Sequence, residues 1–87
     1  MFYVYVLKSN KDNKLYIGFS NDLRKRFIEH NKGLVRSTRP RIPFSLVYYE
    51  AYAAEVDAKE REAMLKRFSG STVHLRKRIW RSLIVSK

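Results

Sequence analysis

The run Phe2-Tyr3-Val4-Tyr5-Val6-Leu7 is apolar at every position, so neither of its alternating faces can be left in water. β-Branched and aromatic residues of this kind favour a strand. A strand with two apolar faces belongs in the middle of a sheet that is covered on both sides. Ser9 to Asn13 is polar, and Asp12 and Asn13 suit a turn. The stretch 14–18, Lys-Leu-Tyr-Ile-Gly, then reads as a second strand, which makes a β-hairpin with a loop longer than two residues.

Ser20, Asn21 and Asp22 are all good helix N-caps, so a first helix is expected from there to about Asn31, with Gly33 as its stop. The stretch 34–43 is basic and holds Pro40 and Pro43, so it is read as a loop. Phe44 to Glu50 is the third strand, with Phe44, Leu46 and Tyr48 alternating against Ser45, Val47 and Tyr49. Ala53 to Phe68 has helical composition without Gly or Pro. After Ser69-Gly70-Ser71-Thr72, a last helix capped by Ser71 or Thr72 is expected to run to Val85, docking through a stripe of Val73, Trp80 and Ile84. The order is β-β-α-β-α-α. The fold class is α+β, a small antiparallel three-stranded sheet flanked by three helices, in one domain over residues 1–87.

Charge narrows the function. Nineteen Lys and Arg face eight acids, for a net charge of +11. The excess is concentrated in residues 24–41 and 61–87, and each of these segments contains a single acid, Glu29 and Glu62. Such a field attracts polyanions and points to nucleic acid; a solvated basic surface and an acidic protein or membrane partner are the alternatives. There is no cysteine, which removes disulfides and thiolate zinc sites. No stretch reads as a signal peptide or reaches the length of a membrane span, so the expectation is a soluble cytoplasmic protein.

Helical geometry picks out two residues. With Leu23 as the zero of rotation, Phe27 falls at about +40° and His30 at about −20°, a buried stripe. Arg26 falls at about −60°, on the shoulder of that stripe. An arginine snorkelling at a helix edge is the plain alternative. On the second long helix Glu62 lies about 40° from Ala58, again on the shoulder of an apolar stripe; a surface pair with Lys66 or Lys59 is the plain alternative. If Leu7 pairs with Tyr16, then Tyr5 and Tyr16 share one face of the sheet, diagonal to each other. A slip of one residue would separate them, and a tyrosine pair on a sheet is commonly core packing. Tyr, Arg, Glu and His together suit phosphodiester hydrolysis: Glu can hold Mg²⁺, Arg can stabilise charge on the phosphate, and Tyr can orient or deprotonate water if its pKa is lowered.

The series Val4-Tyr5-Val6, Tyr16-Ile17-Gly18, Asp22-Leu23-Arg24-Lys25-Arg26, His30 and Arg61-Glu62-Ala63-Met64-Leu65-Lys66 resembles the GIY-YIG nuclease superfamily, in particular its small stand-alone members. Tyr16-Ile17-Gly18 matches the second motif literally. The first reads Tyr3-Val4-Tyr5, with Tyr3 in place of glycine, and no asparagine follows Asn31 to fill the late polar position of some members. The resemblance implies a divalent-metal-dependent endonuclease or phosphodiesterase acting on DNA. It implies Tyr5 as general base or orienter of water, Tyr16 as its assistant, Arg26 as the phosphate's stabiliser, His30 as an auxiliary in proton transfer or positioning, and Glu62 as the ligand of Mg²⁺ or Mn²⁺. Gly18 would allow close backbone approach. With no room in 87 residues for a separate DNA-binding domain, the substrate is expected on the chain's own basic groups: Arg36, Arg39 and Arg41 in the loop, and Arg76, Lys77 and Arg81, with Arg78, on the last helix. His74 is read as a surface histidine. The rivals are a catalytically weak binding module of the same fold that recruits partners, and a basic accessory protein.

Overall fold

The computed structural model describes residues 1–85. Its centre is strand β1 (Phe2–Ser9), flanked by β2 (Leu15–Ser20) and β3 (Phe44–Tyr52) in an antiparallel sheet of order β2-β1-β3. The doubly apolar strand is therefore central. Val4 and Val6 point to one face and pack with Ala58, Leu65, Leu75 and Ile79. Tyr5 and Leu7 point to the other and pack with Phe44, Tyr16, Leu23, Phe27 and Leu46. One strand thus nucleates two cores, as its period-2 pattern requires.

The hairpin is closed by Ser9, whose buried Oγ accepts from the N–H groups of Lys11 and Asp12 and donates to the Arg41 carbonyl at 2.6 Å. Asn13 takes a left-handed φ of 61°, which asparagine tolerates. Helix α1 (Leu23–Asn31) starts where Asp22 accepts from the N–H of Lys25 at 3.1 Å, and ends before Gly33, whose φ of 76° favours glycine. The following segment includes a 3₁₀ turn, Arg39–Arg41.

The third strand departs from simple alternation. Leu7 lies opposite Leu46 while Val6 lies opposite Tyr48, so Val47 is an extra, bulged residue. Phe44 and Leu46 face the tyrosine side, whereas Val47 and Tyr48 both face the helical side. Tyr49 then returns to the tyrosine side beside Tyr3. Helix α2 (Glu55–Arg67) has Glu55 and Asp57 in its first turn and Lys66 and Arg67 in its last, in accord with the helix dipole. Arg61 holds it to β3 through Glu50, at 3.0 Å, and Glu50 also accepts from the hydroxyls of Tyr48 and Tyr52. Burial pushes the Glu50 carboxyl up, but the bonds from Arg61, Tyr52 and Tyr48 hold it below its ordinary value.

The C-terminal region differs most from expectation. Two helices stand in place of one: α3 (Ser69–Arg78) and α4 (Trp80–Val85), broken at Ile79. The buried stripe is not the one expected. Leu75, Ile79 and Leu83 dock on the Val4 and Val6 face, while Val73, Trp80 and Ile84 are exposed, Trp80 to 47%. Leu75, Ile79 and Leu83 recur every four residues about a third of a turn round from Val73, Trp80 and Ile84, so the segment carries two apolar stripes and periodicity alone does not say which one docks. Thr72 donates to the Leu65 carbonyl and Lys8 to the Leu83 carbonyl, tying both helices down. None of the helices in the described residues is long and apolar enough to cross a membrane. Leu75→Ala is expected to destabilise the fold by about 2–5 kcal/mol as a cavity mutation, whereas Trp80→Ala should cost under about 1 kcal/mol. Urea unfolding of both variants measures this, and the reverse ranking would restore the Trp80 stripe to the core.

Candidate active site over the tyrosine face

Leu7 pairs with Tyr16 and Tyr5 with Gly18, the register that puts both tyrosines on one face. Their rings lie 6.4 Å apart between centroids. Gly18 is essential to this arrangement: a Cβ there would fall inside contact distance of the Tyr5 ring and hydroxyl. The Tyr5 side chain therefore crosses over β2 through the gap that glycine leaves.

Helix α1 lies across this face on Leu23 and Phe27. Its shoulder brings two of the expected residues to the Tyr5 hydroxyl. His30, fully buried, has Nε2 at 2.8 Å from it, and the Arg26 guanidinium lies near enough to act on it electrostatically. Arg26 pairs at 3.3 Å with Glu29, an acid that helical rotation had turned away. From α2, Glu62 comes close enough for its charge to act on Tyr5. Glu62 also makes the plain surface contact, 3.0 Å to Lys66, and the Lys66 ammonium lies 5.9 Å from the Tyr16 ring centre. Tyr5, Tyr16, Arg26, His30 and Glu62 thus come together from four elements.

The basic residues expected on the substrate do not share one place. Arg41 is bound to Asp12 at 2.9 Å and lies over the Phe44 ring, so it braces the hairpin against the loop. Arg39 donates to the Gly33 carbonyl at 2.9 Å. Arg36, Arg76, Lys77 and Arg81 are exposed, Arg81 against Trp80. His74 is exposed.

Thr38 was missed as a site residue. It is buried, and its hydroxyl lies 2.8 Å from His30 Nδ1 and donates to the Val35 carbonyl at 3.3 Å. Nothing in a loop threonine eight residues after a histidine announces this. The contact directs the whole chain of bonds. A hydroxyl has one proton; with that proton on Val35, Thr38 accepts from Nδ1–H. Nε2 is then the acceptor, and Tyr5 donates to it. The opposite tautomer would turn a second proton on the Tyr5 oxygen and leave the hydroxyl's own proton without an acceptor among the described contacts. The described residues contain no buried side-chain nitrogen or oxygen without a partner. The tautomer is assigned here from this network.

The protonation states follow. Burial pushes the Tyr5 hydroxyl up to about 12; the Arg26 guanidinium works against this, and Tyr16 and Glu62 add to it. Tyr5 therefore keeps its proton, contrary to the lowered pKa that a tyrosine base would need. Burial, then the Arg26 charge, hold His30 down to about 4 against the opposing pull of Glu29. A folded-state pKa below the unfolded value near 6.5 means that the unfolded chain takes up the proton first as pH falls. Stability contributed by neutral His30 is complete above about pH 6.5 and is lost progressively down to about pH 4, by about 2–3 kcal/mol. Urea unfolding across this window, with ¹⁵N spectra of the imidazole, should show that slope and a neutral ring protonated at Nδ1. A flat profile, or a proton on Nε2, would contradict the arrangement.

Comparison with known proteins agrees with this geometry. Residues 1–76 match the GIY-YIG catalytic domain. A UPF0213 protein of Streptococcus pneumoniae is 41% identical over 66 residues, covering 75% of this chain. The chain spans 66% of that relative's length, just under two thirds. A UPF0213 protein of Staphylococcus saprophyticus is 41% identical over 68 residues, covering 77% of this chain and 82% of the relative. The solution NMR structure of a UPF0213 protein from Bacillus halodurans superposes with a TM-score of 0.54 at 30% identity, covering 87% of this chain and 86% of that one. These names state a family and no activity. From the first strand into the third helix, then, the chain belongs to the GIY-YIG catalytic-domain family, in its UPF0213 branch, and its fold is of the nuclease type.

Proposed function

We propose that this chain is a divalent-metal-dependent endonuclease that hydrolyses phosphodiester bonds in DNA. The observation that carries the reading is the convergence of Tyr5, Tyr16, Arg26, His30 and Glu62 around one tyrosine hydroxyl. Hydrolysis needs an acceptor for the proton of the attacking water and positive charge where the phosphate becomes more negative. Arg26 supplies that charge. Tyr5, protonated at neutral pH, works by passing a proton on: as its oxygen receives one from water, its own moves to Nε2 of His30. The water oxygen bonds to phosphorus, the bond to the leaving oxygen breaks, and solvent protonates that oxygen. A bound phosphate offsets the Arg26 charge that holds His30 down, so substrate itself raises the acceptor's affinity for the proton.

The described residues include no group of three or more His, Cys, Asp or Glu side chains able to hold a metal. An ion here would rest on Glu62 with water and phosphate oxygens, a donor set that suits Mg²⁺ or Mn²⁺, which commonly bind through one or two carboxylates plus substrate. When bound it would supply Lewis-acid stabilisation of the phosphate. Lys66 would have to release Glu62 first. That ion pair also favours a second reading, a catalytically weak module that binds nucleic acid and recruits partners. The net charge of +11 supports nucleic-acid binding in both.

Purified protein incubated with single-stranded, duplex and branched DNA, with Mg²⁺ or Mn²⁺ and with chelator, separates the two. Metal-dependent cleavage is expected, abolished in Glu62→Ala and reduced about 10²–10³-fold in Arg26→Ala. Arg26→Lys should not restore it, because an ammonium lacks the planar fork. Binding at low salt with no cleavage of any substrate would leave the binding module, and cleavage that survives Glu62→Ala would remove Glu62 from the site.

A further inference from the structure

On the opposite flank of α1 from Arg26, the sheet carries a second feature that the hydrolytic residues do not use. Tyr3 and Tyr49 meet edge to face, with ring centres 6.0 Å apart, and Tyr49 is 52% exposed. With Phe27 and Leu46 they line an open cavity of about 470 Å³, rimmed by Arg24 and Asn21. Tyr3 replaces the glycine of the first motif, so this wall exists because of a side chain that the motif lacks. The cavity is not isolated. Around the start of α1 a smaller polar cleft of about 230 Å³ holds Lys25, Arg26 and Glu29, and the two share a wall at Asn21 and Asp22.

We propose that the Tyr3–Tyr49 cavity takes the nucleobase of a nucleotide adjoining the phosphate held at Arg26. This rests on the nucleic-acid reading above. The chemistry matches in three respects. A planar base presents a π-face, and two tyrosine rings inclined at 64° offer one ring to stack on and another to close the side. The rim carries Arg24 beside Asp22, and the adjoining cleft carries Lys25 and the Arg26–Glu29 pair, so the sugar-phosphate leading in has three cations within reach, while the floor is apolar. The exposed amide of Asn21, which makes no hydrogen bond among the described residues, can donate to and accept from a base edge. A peptide or lipid chain would fill the apolar floor but would leave the cationic rim unmatched. A base inside a stacked duplex cannot enter, so an unstacked nucleotide is required.

The test uses the full chain and short oligonucleotides of DNA and RNA in chelator, each prepared intact and with one abasic nucleotide moved along the strand. Ring-proton shifts of Tyr3 and Tyr49 should appear with the intact strand and fade when the abasic nucleotide reaches one register. Tyr49→Ala, at an exposed position that should tolerate it, is expected to weaken binding of the intact strand roughly 5- to 100-fold. It should bind the critical abasic strand no worse than the native protein does, and Tyr49→Phe should keep the native affinity. Equal binding of intact and abasic strands at every register, or an unchanged affinity in Tyr49→Ala, would overturn the proposal. Base-dependent binding without any cleavage in metal would sustain the cavity and sink the nuclease. Cleavage indifferent to the missing base would do the opposite.

Discussion

The hydrogen bond between Tyr5 and His30 is the contact on which the arrangement of this protein depends. It joins the central strand to helix α1, and it does so where both partners are closed off from water. Two polar groups buried this deeply must satisfy each other or cost the fold a few kcal/mol. Everything nearby serves that requirement. Gly18 gives the ring a passage, Thr38 fixes which nitrogen of His30 accepts, and Leu23 and Phe27 seat the helix at the height where Nε2 meets the hydroxyl.

The same burial explains the electrostatics. Desolvation drives the Tyr5 hydroxyl and the His30 ring both toward neutrality, one by a raised pKa and the other by a lowered one. Arg26 remains as the charge at the edge of a neutral relay. A protein with a net charge of +11 thus keeps the Tyr5–His30 pair uncharged inside and presents cations around it. Some of those cations are committed to the fold: Arg61 braces α2 through Glu50, and Arg41 braces the hairpin through Asp12. Arg36, Arg76, Lys77 and Arg81 stay on the surface, where they can meet phosphates without loss of structure.

How much was legible in the sequence follows from the range of the interactions involved. Local periodicity placed β1 at the centre, put Arg26 on the shoulder of the α1 stripe and narrowed its cap to Ser20, Asn21 or Asp22, of which the structure uses Asp22, because each rests on residues within a turn or two of each other. The hairpin register was legible only as a condition, and Leu7 opposite Tyr16 is the condition met. Periodicity failed where regularity was interrupted and where it offered two answers. The bulge at Val47 reversed the second half of β3, and of two distinct apolar stripes near the C-terminus, Leu75, Ile79 and Leu83, and not Val73, Trp80 and Ile84, reached the core.

By itself, then, the sequence determined the α+β class, the central strand, the start of the first helix and the set of chemically capable residues, since these are set by side-chain type and short spacing; the cap expected at Ser71 or Thr72 failed, because α3 begins at Ser69 behind Phe68, with no side-chain cap. Only the tertiary structure decided what those residues are to one another. Thr38 meets His30 across eight positions, Glu50 gathers Tyr48, Tyr52 and Arg61, and Glu62 approaches Tyr5 across 57 positions while pairing with Lys66. The pKa of Tyr5 changed direction for the same reason. Residue type says that a tyrosine can ionise; only burial, a property of the packed whole, says that this one does not.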